Sequence, residues 1–309
     1  MELTPWDPEG VAVGLDADGR ASDGVDPAWI QRLDPRALYK RLVAARSLDH
    51  RLAALGLPMW APAAGEEAVS VAVALLLGEG EWVYPGLRDL AVGPMLGMDL
   101  GELARQVLGA AGYNGRPGSI AAPDLGVAAV PEALGVHLGL AAGQAHGHKL
   151  TGGGKATVAI FGEGLTTAGI FHETVALAAT CDLPLVLVCK SQLWPDGAPL
   201  EAGLLGDSVA DRARAAGLWT RRADGADVIG VHHALAQALA RARDGGGPSL
   251  VEVIVTSLVH PDAPAHRDPL ERVRRHLDHL GLWSPEFAAT VEAEIADPLA
   301  RAFAQGGVG

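Results

Sequence analysis

Two stretches, a helix apart, hold the residues best suited to chemistry: Glu163 between Gly162 and Gly164, and the run Lys190-Ser191-Gln192. A carboxylate and a side-chain amide brought together offer oxygen ligands to one hard cation. Magnesium takes such ligands in an octahedron and completes its shell with water or phosphate oxygens. Glycines on both sides of Glu163 would let a diphosphate come close to the backbone. The plainer reading is a strand end whose carboxylate caps the next helix.

The elements that must position these groups follow from pattern. Residues 156–161 form a short apolar run and read as a buried strand. Residues 162–164 form a turn. Residues 169–180 have helical composition, with Phe171, Val175, Ala178 and Ala179 on one face. Residues 183–189 are a second apolar strand. Two such strands joined by a helix make a βαβ unit, and a parallel sheet follows. Ligands of such sheets sit beyond the carboxyl ends of the strands, where Glu163 and Lys190 to Gln192 fall.

The turn, and the 26 residues between Gly164 and Ser191, resemble the thiamine diphosphate motif: Gly-Asp-Gly or Gly-Glu-Gly, about two dozen residues, then Asn-Asn. The chain resembles alpha subunits of the decarboxylating component of 2-oxo acid dehydrogenase complexes, especially the branched-chain type. The likeness runs from about Val11 to Glu294. It also rests on Leu15 to Gly19, Gly65-Glu66-Glu67-Ala68, Glu81 to Asp89, Phe171-His172-Glu173, Asp224 to Asp227, and Asp268 to Trp283. None of these stretches is specific alone; their order and spacing carry the likeness. It implies an α/β thiamine diphosphate-binding fold, with a mainly parallel central sheet flanked by helices on both faces.

Composition narrows the remaining classes. An apolar fraction of 49% suffices for a core at 309 residues. The net charge of −13 argues against nucleic acid. Two cysteines, Cys181 and Cys189, cannot form a secreted disulfide framework, and a reduced cytoplasmic setting is expected. The first residues lack a signal-peptide pattern, and no run is apolar enough to span a membrane.

In chain order, residues 1–33 read as an N-terminal extension with one strand-like piece at 11–15. Residues 34–309 read as one α/β domain with a C-terminal helical tail. Asp34-Pro35 opens a helix with an apolar face at Leu38, Leu42, Ala45, Leu48 and Leu52. A deeply buried helix spans 65–77, a strand 81–84, and a helix follows Asp99 to 108. Residues 109–129 are a glycine-rich connection without a P-loop pattern. A buried helix is expected over 132–149, with His146 and His148 at its solvated end and no metal-ligand spacing. Later come a helix at 207–216, an edge strand at 219–222, a helix at 228–243 and a buried strand at 250–255. Two helices close the chain, one opening at Asp268 and one over 285–303.

The resemblance assigns roles residue by residue. Glu163 matches the first magnesium ligand. Gln192 stands where the second asparagine supplies the other side-chain ligand, and Trp194 where a backbone carbonyl completes the set. Gly162 and Gly164 flank the diphosphate. Arg88 matches an arginine that contacts the cofactor, with Leu87 where tyrosine is usual. Lys190 lies where an arginine near the diphosphate would fit, and Val130 near the apolar residue beneath the cofactor. His260 best matches a histidine that contacts the diphosphate and aids acyl transfer; His266 is the runner-up. Ala176 replaces an asparagine, and residues 259–267 are far shorter than the family's usual loop.

The cofactors implied are thiamine diphosphate and Mg2+. The implied reaction is decarboxylation of a small 2-oxo acid and acyl transfer to lipoyl-lysine on the acyltransferase of the complex. In this family the beta subunit supplies the glutamate that activates the cofactor, so an α2β2 assembly is implied. Two other readings stay open: a structural or regulatory paralogue that binds cofactor weakly or not at all, and another thiamine diphosphate enzyme of the transketolase kind.

Overall fold

The computed structural model describes residues 11–56, 60–112, 120–192, 208–259 and 263–305. Among them run strands β1 (Val11–Ala12), β2 (Trp82–Tyr84), β3 (Thr157–Gly162), β4 (Leu185–Gln192), β5 (Trp219–Asp224) and β6 (Ser249–Val255). All pair in parallel, in the order β1-β5-β6-β4-β3-β2. The helices are α1 (Pro27–Gln31), α2 (Pro35–Ala54), α3 (Glu67–Leu76), α4 (Val92–Met95), α5 (Leu100–Gly112), α6 (Val136–Thr151), α7 (Gly169–Thr180), α8 (Val209–Ala215), α9 (Val228–Arg243), α10 (Pro269–His279) and α11 (Pro285–Gln305).

Alternation along the strands divides the core, because successive side chains of a strand point to opposite faces. Val186 and Val188 of β4 join one cluster with residues of α2, α3, α9 and α10. Leu185, Leu187 and Cys189 join another with residues of α6, α7 and α8. A sheet covered on both faces has apolar strands throughout, as the sequence pattern suggests. A third cluster lies between α5, the end of α2 and the end of α11. The expected α/β class, with a parallel sheet between helical layers, is the one observed.

Several boundaries differ from expectation for identifiable reasons. Helix α6 starts at Val136 rather than residue 132, because Gly135 takes a left-handed φ of 89° just before it. His148 is buried, not solvated: with Leu138, Ala141 and Ala145 it lies on the face packed toward the sheet, and its ring approaches Thr157. Strand β5 is not an edge, since Val11 and Ala12 pair outside it. Strand β4 runs on to Gln192, paired with Val255 of β6. Lys190 and Gln192 therefore share the face of Val186 and Val188, beneath α3, while Ser191 points the other way, to Glu252.

Candidate active site

Strands β3 and β4 are adjacent, and Gly162 is in register with Lys190. Glu163 thus begins where β3 ends, opening a 3-10 turn over Glu163–Thr167. Its carboxylate does not cap that turn. Oε2 accepts instead from the backbone N–H of Gln192, at 3.3 Å. Burial pushes this carboxyl above the usual range and nearby Glu66 adds to the shift, while the Gln192 N–H and Arg88 oppose it. No side-chain donor bonds Glu163 among the described residues. A Cβ on Gly164 would meet nothing within 4 Å, and one on Gly162 only the Lys190 carbonyl at 4.0 Å. Among the described residues, the backbone beside Glu163 therefore faces open space.

Behind this turn lies a closed polar network. Glu66, at the start of α3, is 2% exposed, and Asp89, in the loop after β2, is 1% exposed. Lys190 Nζ sits between them, 2.7 Å from Glu66 and 2.9 Å from Asp89. Burial alone would pull its ammonium down, but the two carboxylates outweigh this and hold it above its ordinary value. Asp89 also accepts from the Gly86 N–H at 3.0 Å. The Gln192 amide is engaged at both ends: Nε2 donates to Glu66, and Oε1 accepts from the Ser257 N–H at 3.1 Å. Arg88 is half-exposed, donates to the Pro62 carbonyl at 2.9 Å, and stands 3.6 Å from Glu66.

His137 of α6 adds a neutral imidazole nearby. Its Nε2 donates to the Ile160 carbonyl at 3.0 Å, and burial lowers its pKa. Its Nδ1 is buried without a partner among the described residues.

The sites expected from sequence are thus partly brought together. Gly162, Glu163, Gly164, Arg88, Lys190 and Gln192 meet at one end of the sheet. Val130 lies in the cluster with Leu103, Val107 and Phe303. His266 is exposed on a 3-10 turn, its carbonyl held by Arg272 at 2.9 Å. Trp194 and His260 lie outside the described residues.

Three carboxylates against one lysine and one arginine leave the cluster net negative, so an anionic ligand needs a cation beside it. The carboxylate of Glu163 and the open space at its turn fit a divalent ion that takes its other ligands from phosphate and water. The Gln192 amide oxygen already accepts one hydrogen bond, from the Ser257 N–H, and no group of three or more acidic, His or Cys side chains among the described residues is poised for a metal.

Residues 55–260 match the family described as "Dehydrogenase E1 component". The chain belongs to that family. Its 3-methyl-2-oxobutanoate dehydrogenase alpha-subunit relative from Mycobacterium tuberculosis is 29% identical over 277 residues, covering 84% of this chain and 74% of that protein. The alpha subunit of an acetoin:2,6-dichlorophenolindophenol oxidoreductase from Bacillus subtilis is 33% identical over 253 residues, 78% of this chain and 76% of its own length. A solved structure of a putative thiamin diphosphate-dependent enzyme from Mycobacterium smegmatis aligns with a TM-score of 0.40 and 18% identity, over 63% of this chain and 32% of that one, a likeness too slight to argue from.

The dehydrogenase E1 chain is of the 2-oxo acid dehydrogenase alpha-subunit type, an oxidoreductase, and thiamine diphosphate dependence goes with the family. Sequence reading missed Glu66, Asp89 and Ser257 as parts of the site. The signal for Glu66 was present: two adjacent acids lead an otherwise apolar helix, and a buried acid needs a buried partner. Its neighbour Glu67 has one in Arg46, which also pairs with Asp268 at 3.1 Å.

Proposed function

We propose that this chain is the alpha subunit of an α2β2 2-oxo acid dehydrogenase that decarboxylates a branched-chain 2-oxo acid and passes the acyl group to lipoyl-lysine of an acyltransferase. The observation that carries the reading is Glu163 at the end of β3, with no side-chain donor on its carboxylate and a glycine turn unobstructed among the described residues. Glu163 would hold Mg2+ with a carboxylate oxygen, without help from the side chain of Gln192. Half-exposed Arg88 would donate to a diphosphate oxygen, its guanidinium being suited to such oxygens. Lys190 is committed to Glu66 and Asp89, so its part is to fix Glu66 rather than to meet phosphate. Gln192 ties the backbone after β6 to the start of α3. When bound, thiamine diphosphate supplies the carbon nucleophile and the electron sink for loss of carbon dioxide. Free Cys181 and Cys189 agree with a cytoplasmic setting.

The test is 2-oxo acid-dependent reduction of an artificial acceptor by the chain co-expressed with its beta partner. Turnover of 3-methyl-2-oxobutanoate in preference to pyruvate supports the reading. A stable heterotetramer inert toward every 2-oxo acid supports the second reading, a structural subunit, which the ties of the Gln192 amide to Glu66 and the Ser257 N–H favour.

A further inference from the structure

Away from the strand ends, a cavity of about 350 Å³ opens between α2, the segment from α4 to the start of α5, and α11. This lies within the span of small-molecule pockets, roughly 300–1,000 Å³. Its walls are apolar: Ala44 and Leu48 from α2, Met95 and Met98 around α4, Ile295 and Leu299 from α11. The two methionines are unbranched and polarisable, and adapt to irregular ligands.

The mouth is polar and unevenly charged. Lys40 and Glu294 cross it as an ion pair at 2.9 Å. Arg41 also lines it and has no hydrogen-bond or ion-pair partner among the described residues, so the rim carries one uncompensated positive charge. Pro298 lines the cavity from inside α11. Having no N–H, it leaves the Glu294 carbonyl without its helical donor on that face. Ala45, Leu48 and Ala91 also line the smaller cavity that reaches Glu66 and Arg88. One layer of side chains therefore separates the two.

We propose that this cavity is a binding site for a small amphiphilic monocarboxylate, its chain between α2 and α11 and its carboxylate at Arg41. The apolar walls take the chain, and the unpaired guanidinium selects an anion over a neutral or cationic head. The proposal does not rest on the catalytic reading, since none of its polar groups belongs to the candidate active site.

The test is calorimetric titration of the full-length chain with hexanoate, hexanol and hexylammonium. Hexanoate is expected to bind saturably and more tightly than the other two. Arg41→Gln should weaken hexanoate by about tenfold and leave hexanol unchanged, the loss of one charged hydrogen bond at a part-exposed site. Ala44→Trp should fill the cavity and abolish binding, with folding checked by denaturant unfolding; if that variant does not fold, Arg41→Gln and the three head groups still decide. The proposal is overturned if hexanoate does not saturate, if hexylammonium binds as well, or if Arg41→Gln changes nothing. Loss of hexanoate binding on association with the beta partner also overturns it, assigning the groove to subunit contact.

Discussion

The ammonium of Lys190 stands 2.7 Å from a carboxylate oxygen of Glu66, and the two side chains are only 4% and 2% exposed. A buried pair of this kind gives little net stability over an apolar pair of the same shape, but removing one partner leaves a charge with no water to solvate it. Its value here is positional. It holds α3 against the end of β4 and keeps Glu66 where it meets Gln192.

Lys190→Met should therefore destabilise the fold by about 3–5 kcal/mol, because Glu66 and Asp89 would face each other unbalanced. Adding Glu66→Gln should recover part of that loss. Urea unfolding of the single and double variants measures both, and simple additivity would contradict the coupling.

Gln192→Leu should cost about 1–3 kcal/mol, since it strands the Ser257 N–H and one bond to Glu66 in a buried setting. Magnesium affinity should change by less than a few-fold if the amide acts only as a strut between Glu66 and the Ser257 N–H. Isothermal titration with Mg2+ and thiamine diphosphate decides the point. A loss well beyond tenfold would restore Gln192 as a metal ligand.

Gly65 joins the loop before α3 to the end of β6. Its φ is 97°, and a Cβ there would clash with the Thr256 carbonyl oxygen. Gly65→Ala should therefore push these segments apart. Strain at such a position is on the order of 1–3 kcal/mol before the clash is counted. A lowered Tm together with weaker cofactor binding would be the signature; an unchanged Tm would contradict the close approach.

His232 of α9 gives a pH dependence. Burial, with help from His233, lowers its pKa to about 4, and its ring packs 5.6 Å from Trp29. The unfolded chain, with pKa 6.5, takes the proton first as the solution is acidified. Stability from this group is thus full above about pH 6.5 and falls as pH drops toward 4, by at most about 3 kcal/mol. Urea midpoints between pH 4 and 7 should show a shallower slope in His232→Phe than in the parent chain.

Much of this architecture is legible in the sequence because it depends on local pattern. The alternation in β4 and the helical spacing of α7 and α9 each follow from which residues are apolar. The strand ends then bring Glu163, Lys190 and Gln192 together without further information. What pattern does not carry is the direction of a polar side chain. Gln192 reads equally well as a metal ligand or as a strut, and it is the positions of Glu66 and Ser257, 126 and 65 residues away, that favour the strut. The buried face of His148 was readable from its spacing to Leu138, Ala141 and Ala145. The addition of β1 outside β5 was not, since two residues make no periodic signal.

Glu163 is proposed to supply, among the described residues, the side-chain ligand for a divalent ion that secures a diphosphate at the end of β3. Calorimetric titration of thiamine diphosphate, with and without magnesium, into the chain co-expressed with its beta partner tests it most directly. Saturable binding that requires magnesium, is lost in Glu163→Ala and survives in Gln192→Leu is the predicted result. Binding that is unchanged in Glu163→Ala, or absent from a stable heterotetramer, would contradict it.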